Sequence, residues 1–389
     1  MLANVFIYTF FPLLMISVVV VIHELGHYWA GRLFGAAAKS FSIGFGTPLL
    51  KWTDKRGTEW KIGWLPLGGF VGFLDEGDPV ADTKDDGEAT DRKVVGKPFY
   101  DMTVLQRSVV AVAGPAANFI LAIAIFAGFG MTVGSPRHEL KIEEVLEGSA
   151  ADRAGLEVGD IIQSINGQEG DRQDRFQQEI KLSAGDNINL TVLRDNERLD
   201  ITAVPNREVL DEELSLNQKT GVLGIRYSAN LIDVNRLNPL EAIAFGADET
   251  VNSVSTSLRM LAQIVTGRES LQTLSGPVGI ANAVGTTAKY SLEQEISLLD
   301  RLTLLLLVQI QLCALISVAV GFFNLLPLPV LDGGRLVFNA YEAVTGRLPS
   351  ERIQAVSMSL TLAFLVGMAL FITIGDFQET GLLEVFRGL

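Results

Sequence analysis

Two of the three histidines in this chain fall within five residues, in the run His23-Glu24-Leu25-Gly26-His27. On a helix, positions four apart share a face, so both imidazoles point to one place and can hold a single ion. Glu24 follows the first histidine and stays within reach of a water on that ion without being a ligand. This His-Glu-x-x-His spacing suits zinc with a carboxylate as general base. The run continues an apolar stretch, Val5 to Ile22, that holds no charged residue. Ionisable groups at membrane depth cost roughly 2.5–3.5 kcal/mol each on insertion scales and are by default a sign of function. Two packed helix histidines that happen to match are the plain alternative. The membrane setting and the scarcity of histidine count against it.

A second constellation lies far along the chain, in Asn324-Leu-Leu-Pro-Leu-Pro-Val-Leu-Asp332-Gly-Gly-Arg335. Pro327 and Pro329 must break the helix that leads into it. Irregular backbone at membrane depth is tolerated only where it lines a cavity or is buried in protein. Taken alone, Asp-Gly-Gly reads as a turn closing a helix. Beside the histidine pair and the double-proline break, Asp332 reads as a third ligand. Two imidazoles and one carboxylate leave a position open for water, as catalytic zinc sites do. Between the two constellations, Ala113-Gly-Pro-Ala-Ala-Asn118 brings small residues that let helices approach closely. Asn118 is a polar group at membrane depth that needs a partner on a neighbouring helix.

Positioning these groups requires a membrane scaffold. The 389 residues are 48% hydrophobic, and the mean hydropathy of +0.31 is high for a soluble protein. Val5–Ile22, Val109–Val133, Leu302–Leu326 and Ala355–Ile374 are free of Asp, Glu, Lys and Arg. Each approaches or exceeds the ~20 residues that cross ~30 Å of hydrocarbon. The reading is a polytopic α-helical membrane protein with four transmembrane helices, a membrane-associated β-hairpin region and one inserted α/β domain. The first span is not expected to be a cleaved signal peptide, because no Lys or Arg precedes Arg32 and no small-residue cleavage site ends it. Basic residues near span ends (Arg32, Lys39, Lys93, Lys97, Arg107, then Arg335, Arg347 and Arg352) put loops 28–108 and 335–354 in the cytoplasm. Segment 134–301 and both termini then face outside, and the ligand candidates face the cytoplasmic side. A net charge of −14 argues against nucleic acid as a partner. The single cysteine, Cys313, permits no disulfide within one chain.

The chain divides by pattern into seven stretches. Residues 1–35 hold the first span and the histidine pair. Residues 36–103 hold alternating hairpins, with Phe41, Ile43 and Phe45 against Trp60, Ile62 and Trp64 across a turn at Thr53–Gly57, and then an acidic linker at 75–91. All four tryptophans fall between Trp29 and Trp64, which suits a hairpin at a membrane interface. Its strand edge could pair with an extended substrate. The second span is 104–134. Residues 135–206 form a compact α/β module with a helix near Asp171–Leu182 and a hairpin at Ile188–Val204. Residues 207–301 hold an amphipathic helix, whose apolar positions 240, 243, 247, 251, 254, 258, 261 and 265 share a face. The third span with the Leu-Asp-Gly run occupies 302–334, and the fourth span with the C-terminus occupies 335–389.

The stretch Gly148-Ser-Ala-Ala-x-x-Ala-Gly-Leu-x-x-Gly-Asp160 resembles a PDZ domain of the bacterial-protease kind. Such domains take up a peptide as an added strand; this one either recognises a ligand or only blocks access by its bulk. Together with His23-Glu24-x-x-His27, Gly114-Pro-x-x-Asn118 and Asn324-x-x-Pro-x-Pro-x-Leu-Asp332-Gly, in this order on four spans, the chain resembles the site-2 protease family in its bacterial regulator-of-sigma-E type. The resemblance covers nearly the whole chain. It implies that His23, His27 and Asp332 hold Zn2+, that Glu24 is the catalytic base and that Asn324 holds the substrate strand; Asn118 is a further candidate substrate contact. It also implies intramembrane cleavage of single-pass membrane proteins in the bacterial inner membrane, with anti-sigma factors or remnant signal peptides as substrates. Some relatives carry two PDZ modules; only one Gly-Ser-Ala-Ala run occurs here, which sets gating by a tandem pair in doubt. Two other readings remain. A 2-His-1-carboxylate set can hold non-haem Fe(II), but leaves Glu24 without a role. A non-catalytic PDZ scaffold in the membrane leaves Asp332 without one.

Overall fold

The computed structural model describes residues 2–74, 94–209 and 219–379. In chain order, α1 (Leu2–Leu33) is followed by the long strands β1 (Ala38–Thr53) and β2 (Glu59–Phe73), then α2 (Val104–Thr132). Next come β3 (Ser135–Val145), α3 (Ala150–Ala154), β4 (Ile161–Ile165), β5 (Gln168–Glu169), α4 (Gln173–Leu182), β6 (Ile188–Arg194), β7 (Glu197–Ala203), β8 (Asn206–Val209), β9 (Lys219–Val222) and β10 (Ile225–Asn235). The remainder is helical: α5 (Pro239–Val265), α6 (Pro277–Glu293), α7 (Leu298–Asn324), α8 (Asp332–Thr345) and α9 (Glu351–Glu379). The described residues fall into two compact units, one within 1–126, 246–254 and 276–373, the other within 127–245, 255–275 and 374–389.

Among the described residues, four helical stretches are long and apolar enough to cross a membrane: Phe6–Leu33, Val104–Thr132, Leu298–Asn324 and Glu351–Asp376. They coincide with the four uncharged windows of the sequence. Close helix contact follows from small residues. A Cβ added at Gly26 of α1 would lie 2.3 Å from the Ala113 carbonyl of α2, and one added at Gly321 of α7 would lie 3.2 Å from that of Pro115. The acidic linker expected at 75–91 lies outside the described residues.

The hairpin region is more folded than a single ribbon. Ala38–Ile43 runs antiparallel to Gly69–Phe73, with Phe41 opposite Val71. Pro48–Thr53 pairs with Glu59–Gly63, and Glu59–Ile62 also lies beside Ser40–Ile43. Four extended runs therefore share the sheet, and Gly69–Phe73 is paired with another strand on one side only among the described residues. Asp54 closes the turn by accepting the backbone amides of Arg56 (2.8 Å) and Thr58 (3.0 Å) and the Trp60 indole N–H (3.2 Å).

In the second unit, a sheet runs in the order β10-β3-β4-β6-β7, with β5 beside β4. Its core gathers Leu140, Ile142, Ile162, Ile165, Phe176, Ile188, Leu190 and Val192, all buried. The Gly-Ser-Ala-Ala run has a local reason. The Ser149 hydroxyl caps α3 by accepting from the Asp152 amide, Ala150 and Ala151 are buried, and Gly155 ends the helix at φ +82°. The hairpin turn at Asp195 and Asn196 has both residues at positive φ (49° and 68°), as a two-residue type I′ turn requires. One boundary shifts: an expected module of 135–206 becomes a sheet that runs on to Asn235, because β10 pairs with β3 along its length.

Two helices were not expected. Residues 335–354 read as a connecting loop, yet α8 fills most of them, and α6 precedes the third span. The third span itself ends at Asn324, before the prolines, and Asp332 opens α8 instead of closing α7.

Candidate metal centre

His23 and His27 lie in the last third of α1, each only 6% exposed. Their Nε2 atoms are 3.1 Å apart. Asp332 Oδ2, at the first position of α8, stands 3.0 Å from His23 Nε2 and 3.2 Å from His27 Nε2. The three atoms form a nearly equilateral triangle. Ligand atoms held at 2.0–2.1 Å around a tetrahedral zinc are about 3.3 Å apart, so the triangle has the dimensions of one face of such a site. Among the described residues this is the group of His, Cys, Asp and Glu side chains that can hold a metal ion. Asp332 Oδ2 is buried and accepts no hydrogen bond, a charged oxygen that needs a cation.

The neighbouring elements leave room for the imidazoles and orient them. A Cβ on Gly114 of α2 would fall 2.3 Å from His27 Nε2 and 2.9 Å from His23 Cε1. Gly114, which reads as a packing residue in the sequence, is therefore also the floor of this site. His27 Nδ1–H donates to the Val110 carbonyl of α2 at 2.7 Å. A carbonyl only accepts, so this bond puts the ring proton on Nδ1 and leaves Nε2 bare to bind a metal. No sequence signal could disclose that partner, because it is backbone.

Asp332 is carried to the histidines by a tight loop. Cβ atoms on Gly333 and Gly334 would fall 2.2 Å from the Leu326 carbonyl and 2.3 Å from that of Leu328. The Asp-Gly-Gly run thus folds directly against the proline segment, which only glycine permits. Glu24 does not join the triangle. Its Oε2 accepts the Val71 amide of β2 at 3.1 Å, and both residues line one cavity. That cavity is lined by His23, Glu24, His27, Phe70–Phe73, Asn324, Val330–Asp332 and Arg335. Asn324 is therefore in the cavity wall with the metal-facing groups. Asn118 is fully buried and stands against His23, with Asn118 Nδ2 and His23 Nδ1 3.3 Å apart. The strand-edge residues Phe70 and Val71 lie past the alternating run Trp60, Ile62 and Trp64, and nothing in the sequence singles them out.

The family model described as Peptidase family M50 matches residues 11–368. The chain belongs to peptidase family M50, the site-2 proteases. It is 36% identical to Metalloprotease MmpA of Caulobacter vibrioides over 97% of both chains. It is 35% identical to a putative zinc metalloprotease of Agrobacterium fabrum over 94% of both chains. Protease RseP of Yersinia pestis matches at 28% identity over 92% of this chain and 96% of that protein. As an M50 peptidase the chain is a zinc-dependent, membrane-embedded protease, and the donor set of two imidazoles and one carboxylate fits that metal.

Proposed function

We propose that His23, His27 and Asp332 hold the zinc ion, that Glu24 is the general base and that the protein cleaves single-pass membrane proteins within the bilayer. The observation that carries this reading is the convergence of three ligand atoms from α1 and α8 beside a carboxylate and an open strand edge. When bound, zinc supplies Lewis acidity that activates water at neutral pH and polarises the scissile carbonyl. Glu24 takes the proton from the attacking water and passes it to the departing amine nitrogen as the C–N bond breaks. A helical target hides its carbonyls in hydrogen bonds, so the substrate must be extended to react. Gly69–Phe73 offers it a strand edge that no other strand covers among the described residues, and Asn324 in the cavity wall holds its backbone.

The basic residues near the span ends support a centre towards the cytoplasmic side of the bacterial inner membrane, with residues 135–235 outside. That segment is an inserted PDZ module whose edge strand β10 can accept a peptide. The substrates by this reading are membrane-anchored anti-sigma factors already trimmed outside, or remnant signal peptides. The test is zinc content of wild type and Asp332→Ala purified in detergent, paired with cleavage of a model single-pass substrate. Near-stoichiometric zinc that is lost with Asp332 together with cleavage supports the reading. Zinc and cleavage that survive in the variant remove the third ligand and overturn it.

A further inference from the structure

We infer that Asn118 is a positioning residue for His23: its side-chain carbonyl accepts the Nδ1 proton and so leaves Nε2 bare for the metal. This rests on the reading of His23 as a ligand and extends it to the helix behind the site.

Asn118 is 0% exposed in α2, the helix that also supplies the Val110 carbonyl to His27. Its backbone is pinned from α7, where the Ser317 hydroxyl donates to the Asn118 main-chain carbonyl at 2.9 Å and a Cβ on Gly321 would sit 3.3 Å from Asn118 Cβ. Its amide reaches one ring, that of His23, at 3.3 Å, and Asn118 Oδ1 is buried without a hydrogen-bond partner. With the NH2 turned towards His23, Nδ1 must accept, and a neutral ring then carries its proton on Nε2. That is the nitrogen facing Asp332 Oδ2 and His27 Nε2. A protonated nitrogen cannot ligate.

Reversing the amide exchanges two groups of nearly the same shape, and only the hydrogen-bond network distinguishes them. In the present orientation Asn118 Oδ1 has no hydrogen-bond partner, so no hydrogen bond to that oxygen holds the amide that way round. The requirement of His23 decides the orientation. With Oδ1 towards Nδ1–H, both histidines donate to acceptors on α2, His27 to a backbone carbonyl and His23 to a side-chain carbonyl. A single helix then sets both tautomers.

The test uses the full chain in detergent, with zinc affinity read by chelator competition and integrity by thermal unfolding. Asn118→Leu keeps the shape and removes the acceptor, and its zinc affinity is expected to fall about 10- to 100-fold, the usual effect of losing such a partner. Asn118→Asp can only accept and is expected to stay within about threefold of wild type. Should Asn118→Leu fail to fold, Asn118→Ala carries the same expectation. His23→Ala provides the reference. If it keeps wild-type affinity, the ligand assignment itself falls. If it loses zinc while Asn118→Leu binds like wild type, or if Leu and Asp weaken binding equally, the positioning role is overturned.

Discussion

Glu24 is the one acidic side chain of α1, and it faces the strand edge where a substrate would lie. Glu24→Gln keeps the size and an oxygen able to accept the Val71 amide, but cannot take a proton. Zinc content is therefore expected to stay at the wild-type level while cleavage falls by at least about 100-fold, within the usual range for a lost general base. Cleavage that persists in a zinc-loaded Glu24→Gln enzyme would remove Glu24 from the chemistry. Gly114 bears on the same centre from below. An alanine there puts a methyl 2.3 Å from His27 Nε2, and the ring must move because α2 cannot. Gly114→Ala is expected to lose zinc with its helical circular dichroism unchanged. A variant that binds zinc normally would show that the ring has room the packing denies.

At the scale of elements, the proposed third ligand, Asp332, depends on how α8 is held. Arg107 at the start of α2 is almost fully buried, and its Nη2 donates to both Glu342 oxygens at 2.7 Å. One turn earlier on α8, Asn339 donates to the Ser108 hydroxyl at 3.1 Å. These contacts tie α8 to α2, the helix that carries Val110 beside His27 and Asn118 beside His23. Removing one partner of a buried ion pair leaves the other uncompensated, at a cost on the order of 3 kcal/mol. Arg107→Met is expected to lower the thermal unfolding midpoint in detergent and to weaken zinc binding, and Arg107→Met with Glu342→Met together should recover part of the stability. No recovery in the double variant would mean that the pair contributes through packing alone. The sequence made the four spans legible because an uncharged run of ~20 residues has few other uses. It made His23, Glu24 and His27 legible because their spacing matches one helix face. It did not make α8 or α6 legible. Both are short and mixed in composition, and α8 opens on Asp-Gly-Gly, which has every local mark of a turn. Gly114, the Val110 carbonyl and the Val71 amide escaped for another reason: their roles arise from partners far away in the chain.

Over the whole molecule, 45 acidic against 31 basic residues are distributed between two units with different physics. The first is built on apolar spans, and its stability comes from helix packing in an apolar medium. The second has a water-type core and is tied by carboxylates paired with arginine. Arg259 and Asn166, through hydrogen bonds, hold the Glu179 carboxyl below its ordinary range despite its burial. Burial pushes the Asp160 carboxyl up, but hydrogen bonds from Arg194 and the Glu157 amide outweigh it and leave Asp160 lowered as well. A carboxylate with a depressed folded-state pKa stabilises fully above its unfolded value, near 4 for Asp and Glu, and loses that contribution as pH falls through the folded value. Acidification below about pH 4 should therefore weaken residues 135–235 first, and Glu179→Gln should remove part of the pH dependence along with part of the stability at neutral pH. Hydrogen exchange on the full chain in detergent, followed from pH 6 to pH 3, checks this. Protection of β4, β6 and β7 is expected to fall with pH while that of the uncharged runs 109–132 of α2 and 302–324 of α7 holds, because those runs contain no Asp, Glu, Lys or Arg. A simultaneous loss in both units would mean that the second unit draws its stability from the first, and not from its own core and ion pairs.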